Sequence, residues 1–126
     1  MAYDNPMTVT YSLGSHTTTN ALDTSIRGPK GRRGVVRDIV FNCTTTHVHG
    51  TTPTKYEIGD GTDDDAYASW VPSEATAPDS LAASADGGTL TGATIDADEV
   101  VTVKSVANAT GSPAGVGRVD VIVDWF

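Results

Sequence analysis

Three constellations in this chain have residue types that can do chemistry, and each lacks the spacing the chemistry needs. His47-Val48-His49 puts two imidazoles on one side of an extended segment, as a zinc or nickel site does. A catalytic zinc takes three protein ligands, and the third would have to come from His16 or from a carboxylate far away in sequence. The pair therefore reads as ordinary polar loop histidines. Asp60-Gly61-Thr62-Asp63-Asp64-Asp65 gathers the hard oxygen ligands that calcium takes. An EF-hand alternates its acids ahead of the glycine and closes on a glutamate, so this segment reads as a solvated acidic turn and no metal is assigned. Cys43, the only cysteine, sits in an apolar run that predicts a buried, inert thiol, and a single cysteine forms no disulfide within the chain. No Gly-x-Ser-x-Gly elbow is present, and neither Gly28-Pro29-Lys30-Gly31 nor Gly59-Asp60-Gly61 has the spacing of a phosphate-binding loop. The expectation is a protein that is not an enzyme and needs no cofactor.

The charge pattern says more. The 126 residues carry 8 Lys and Arg against 16 Asp and Glu, a net charge of -8. Arg27, Lys30, Arg32, Arg33 and Arg37 nevertheless lie together, with no acid until Asp38. Between Tyr56 and Val103 there is no Lys or Arg at all, while carboxylates accumulate from Glu57 to Glu99. One reading is a solvated loop that balances the acidic half. The other is an anchoring loop on a flexible, glycine-rich segment, where planar Arg forks grip carboxylates of an acidic protein surface. No nucleic-acid partner is expected, because aromatics do not interleave with these cations and the remaining surface repels phosphate. The acidic balance favours a cationic partner surface elsewhere on the molecule.

These residues must be positioned by strands. Met7 to Leu13 alternates apolar side chains with hydroxyls, and Gly117 to Phe126 places Val119, Val121, Val123 and Trp125 on one face. Val35 to Cys43 has apolar groups of both parities, which predicts a central strand covered on both sides. Lys55–Ile58, Tyr67–Val71, Thr89–Ile95 and Glu99–Ala107 complete the extended segments. Residues 72–88 read as a surface excursion with room for a short helix around Asp79 to Ala85. Asp86-Gly87-Gly88 and the stretch Gly111 to Gly117 read as reversals. Seven or eight strands, Gly and Pro turns and no helical period predict one all-β domain over residues 1–126, an antiparallel β-sandwich or jelly roll. Residues 1–6 are expected to form a surface-contact arm. The N-terminus lacks the features of a signal peptide and no apolar run suits a bilayer, so a cytoplasmic synthesis with no membrane partner is expected.

Tyr56-Glu57-Ile58-Gly59-Asp60-Gly61-Thr62-Asp63, together with Ile95 to Val103 and Gly111 through Trp125, resembles small virion structural proteins of tailed bacteriophages, in the capsid decoration or cement class. The likeness covers the second half of the chain. It implies a β-rich, non-enzymatic protein that assembles as a homo-oligomer, a trimer, on the outside of a capsid and binds the major capsid protein. A tail or fibre component has much the same composition. A carbohydrate- or calcium-binding sandwich is the alternative, with Trp70, Tyr67 or Tyr56 as an exposed stacking platform, although core packing is the favoured reading of those aromatics.

Overall fold

The computed structural model describes residues 6–106 and 114–126. Within them nine strands form two antiparallel sheets, and no segment is helical. The strands are β1 (Met7–Thr17), β2 (Leu22–Arg27), β3 (Gly34–Val48), β4 (Lys55–Gly59), β5 (Ala68–Trp70), β6 (Ser80–Ala82), β7 (Thr89–Leu90), β8 (Val100–Val106) and β9 (Ala114–Trp125). The first sheet has the order β1-β9-β3-β6, the second β2-β8-β4-β5-β7. The all-β sandwich expected from the Thr- and Val-rich alternation is what forms, since branched side chains pack well on a pleated surface.

The core lies between the sheets. β9 supplies Val119, Val121, Val123 and Trp125, all at most 1% exposed, as its period of two requires. Beside it β3 contributes Val36, Ile39, Phe41 and Cys43. The second sheet answers with Ile26, Tyr56, Ile58, Ala68, Trp70, Val101 and Val103. Phe41, Tyr56 and Trp70 run as a chain of tilted rings with centroids 6.2 and 6.3 Å apart, joining the sheets at the centre. Burying each such side chain is worth about 1.5–3 kcal/mol, so this layer carries much of the fold.

Several elements differ from the sequence expectation. β3 is an interior strand of its sheet, but its two-sided apolar pattern comes from a bulge and not from two covered faces. Val36 pairs with Val123 and Asp38 with Ile122, leaving Arg37 as the extra residue. The inward parity therefore switches from Val36 to Ile39, Phe41 and Cys43, while Val35 and Val40 stay half-buried. Residues 80–82 form β6, an edge strand on β3, where a short helix had room. Leu22–Arg27, which has only Leu22 and Ile26 as apolar anchors, is a strand against β8. The Thr- and Ser-rich stretches after Leu13 and Cys43 continue β1 and β3 to Thr17 and Val48. From Thr89 to Ile95 only Thr89–Leu90 is a strand, with Ile95 bridging Gly34. The reversal read at Gly111 to Gly117 is partly strand: β9 begins at Ala114, and residues 107–113 lie outside the described residues. Gly117 is a glycine for packing, because a Cβ there would stand 2.5 Å from the Phe41 ring.

Candidate functional site

The basic segment is built around Trp125. Its glycines, which read as flexibility in the sequence, are close-approach positions: a Cβ on Gly28 or on Gly34 would collide with the indole, at 2.5 Å from Cε3 in the case of Gly34. The chain from Arg27 to Gly34 thus bends over the indole, which only glycine at both ends of the bend permits. The Trp125 Nε1–H donates to Tyr11 Oη at 3.0 Å, and Tyr11 in turn donates to the Arg27 carbonyl at 3.1 Å. Arg33 and Phe126 exchange two backbone hydrogen bonds of 3.0 and 2.9 Å. The Arg33 guanidinium lies 5.3 Å from the Phe126 ring centroid, a cation–π contact. Both ends of the segment are therefore tied to the C-terminal residues Trp125 and Phe126.

The five cations are distributed over this platform. Arg27 ends β2, Lys30 and Arg32 lie on the turn, and Arg33 covers Phe126. Arg37, the bulged residue, reaches Asp124 Oδ1 at 3.6 Å, and the same oxygen accepts Thr8 Oγ1–H at 2.6 Å. An exposed pair of this kind is worth little in stability, so Arg37 remains available for exchange to another carboxylate. Met7 and Phe126, 38% and 36% exposed, add apolar surface at the same end, where Met7 pairs with Trp125. Met, Phe and Arg are residue types that interfaces favour. The sequence reading missed Met7 and Tyr11, because their proximity to the cations is set by the β1-β9-β3 register and by no local spacing.

Acids stand on the same end of the sandwich. Asp98 Oδ1 accepts Gly31 N–H at 2.9 Å, and Asp98 itself takes a left-handed backbone at φ 63°. The acidic turn follows β4, whose Gly59 pairs with Thr102 while Arg27 pairs with Val100. Asp60 Oδ1 accepts from the backbone N–H of Thr62 and Asp63 at 2.8 and 2.7 Å, which holds its carboxyl below the ordinary value. Asp64 pairs with Lys104 at 3.1 Å. The turn is closed by its own backbone, and among the described residues no three of His, Cys, Asp or Glu come together as a metal-holding group. The cations, Asp98 and the acidic turn make one end of the sandwich charge-split.

The remaining candidates resolve into packing. Of the pair read as polar loop histidines, His47 is 0% exposed on β3 while His49 follows that strand, half-buried, and His16 on β1 is 7% exposed. His16 Nδ1 lies 2.7 Å from Tyr56 Oη and its Nε2 2.8 Å from the Asn20 carbonyl. His47 Nδ1 meets the Ser73 carbonyl at 3.1 Å, and His49 Nε2 the Pro72 carbonyl at 2.6 Å. Burial lowers the affinity of both His16 and His47 for a second proton. Tyr56, Tyr67 and Trp70 are at most 5% exposed and offer no face for a sugar to stack on. The Cys43 thiol is buried as expected, and burial pushes its pKa up. No helix among the described residues is long and apolar enough to cross a membrane. No protein family, curated protein or solved structure matches this chain.

Proposed function

We propose that the protein is a virion structural protein of the capsid-decoration class, binding the outside of an assembled phage capsid without catalysis. The observation that carries this reading is the platform at one end of the sandwich. Arg27, Lys30, Arg32, Arg33 and Arg37 lie on a segment whose Gly28 and Gly34 flank Trp125 and whose Arg33 covers Phe126, and β1 begins at that same end with Met7 opposite Trp125. A surface already ordered before binding loses little conformational freedom on docking, so more of its contact energy appears as affinity. Arg forks take carboxylates of the major capsid protein bidentately, while Phe126 supplies apolar contact. The surface-contact arm expected at residues 1–6 lies, Pro6 apart, outside the described residues.

Decoration by such a module stabilises the shell by mass action. A protein that binds adjacent capsid subunits in the lattice, in preference to free subunits, shifts the equilibrium toward the lattice. Many weak copies sum through the lattice's repetition. The test uses purified capsids with and without the protein. Saturating, stoichiometric binding with genome retained to higher temperature is the expected result, and unchanged heat resistance overturns the cement role. The double charge reversal Arg32→Glu/Arg33→Glu, checked for an unchanged fold by its melting transition, is expected to reduce capsid occupancy. Full occupancy by that variant removes the platform as the docking surface.

A further inference from the structure

The four sheet edges are not alike. β6 and β7 are edges of three and two residues, and β2 is an edge of six residues carrying Asp23 and Arg27. β1 is an edge of eleven residues with no Asp, Glu, Lys, Arg or Pro anywhere from Met7 to Thr17. Natural sheets blunt a long edge with charges, proline or brevity, because its outward N–H and C=O groups are a template for another strand. β1 has none of these devices in its first half. From Met7 to Ser12 it is in unbroken register with β9, and the irregularity at Gly14 comes only after that stretch.

We propose that β1 is a homodimer interface, where a second copy of this chain adds its own β1 antiparallel across a two-fold axis at Thr10 to make one continuous eight-stranded sheet. The occupant is chosen by the pattern of the strand. Met7-Thr8-Val9-Thr10-Tyr11-Ser12-Leu13 reads the same in both directions by side-chain class. With Thr10 opposite Thr10 of the second copy, Thr8 meets Ser12 on the outer face. On the inner face Val9 meets Tyr11 and Met7 meets Leu13. Every cross-strand pair is hydroxyl on hydroxyl or apolar on apolar, the combinations that stabilise a sheet, and no like charges oppose one another. Burial points the same way: Val9, Tyr11 and Leu13 are only half-buried and Met7 is 38% exposed, so the inward row of β1 has apolar surface left to cover. A partner strand of arbitrary sequence would need this alternation in this register, whereas the chain itself supplies it. The pairing goes beyond the decoration reading and replaces the trimer that the phage resemblance implies with a two-fold unit.

The test is the mass of the full chain in solution and one engineered cysteine. Sedimentation over a micromolar to millimolar series is expected to show a monomer–dimer equilibrium. Thr10→Cys is expected to form an interchain disulfide on oxidation, since opposed residues of an antiparallel pair lie within the Cα separation a disulfide accepts. The native Cys43 is buried, so the new thiol reports alone. Ser25→Cys, exposed on β2, is expected to stay monomeric under the same oxidation. Thr10→Glu, which opposes two carboxylates on the axis, is expected to weaken the dimer severalfold while melting like the parent at concentrations where both are monomeric, and Thr10→Ser to preserve it. A monomer at every concentration, a trimer, or a dimer that Thr10→Cys does not cross-link overturns the proposal. So does a dimer abolished by Arg32→Glu and untouched by Thr10→Glu, which would put the contact on the charged end.

Discussion

Trp125 shows how one residue fixes a surface loop. Its burial was legible from the alternation of the last strand, but its use was not, because the partners Gly28 and Gly34 come from the basic segment and Tyr11 from β1. A glycine count says "flexible", whereas the indole filling the space beside both Cα atoms means the reverse. Gly34→Ala is expected to destabilise the fold by about 1–3 kcal/mol, the usual cost of forcing an extra methyl group into packed space. Its backbone also pairs with Ile95 at 3.0 and 2.6 Å, so it has little freedom to move away. Urea unfolding checks this, with Gly87→Ala as a comparison, where no atom stands within 4 Å and any loss comes from its φ of 75°. The histidines make a second residue-scale case. A carbonyl only accepts, so His16 carries its proton on Nε2 and takes the Tyr56 O–H on Nδ1, while His47 donates from Nδ1 to Ser73. His47 Nε2 is buried with no partner, so a proton added there meets no acceptor. Both folded-state pKa values lie below the unfolded value of about 6.5, hence the neutral rings contribute stability that is complete above that pH and is lost as pH falls below it. The melting temperature is expected to drop between neutral pH and pH ~5. In His47→Gln the baseline is lower and the drop shallower; an identical pH slope would exclude His47 as a source.

At the scale of elements, the informative region is the one the sequence reads as a loop. Residues 72–88 are polar, rich in Ala and Ser, and hold no alternating run long enough to mark a strand. They are nevertheless strapped to β3, through β6, the His47–Ala75 bridge and a 2.9 Å bond from Cys43 N–H to the Asp79 carbonyl. Two aspartates fasten the strap. Asp38 accepts the Ser84 N–H and Oγ–H at 3.0 and 2.6 Å. Asp86 accepts Trp70 Nε1–H at 3.1 Å, Ser73 N–H at 2.8 Å and Ser73 Oγ–H at 2.6 Å. Such long-range side-chain bonds carry no sequence period, which is why strand, turn and strap were indistinguishable before the fold was seen. The bulge at Arg37 hid in the same way: an extra residue looks like a second apolar face. Asp86→Ala removes three hydrogen bonds at once and leaves the buried Trp70 N–H unpaired, for an expected loss of about 1.5–3 kcal/mol. Thermal unfolding followed by tryptophan fluorescence reads both the loss and the altered Trp70 environment. A variant as stable as the parent would mean that β6 and the His47–Ala75 bridge hold the strap unaided.

For the whole molecule, the topology converts a charge imbalance along the chain into one across a surface. The sequence separates a basic segment before residue 38 from an acidic stretch after residue 56, which alone says nothing about distance. The two sheets return both to one end, through the pairings of Met7, Trp125 and Gly34 in one sheet and of Arg27 with Val100 and Gly59 with Thr102 in the other. The cations therefore stand beside carboxylates at one end of a molecule whose net charge is -8. A docking contact of this kind works at short range, because at an ionic strength of about 0.1 M exposed charges are screened beyond roughly 10 Å. Added salt is therefore expected to slow capsid binding by this protein, since steering acts before contact. Dissociation of docked protein should respond less, because Phe126 contact does not depend on salt and desolvated ion pairs are screened little once water is excluded. Association and dissociation rates on immobilised capsids, measured across a salt series, separate the two. Salt dependence confined to dissociation would mean that the end platform is not what meets the capsid first.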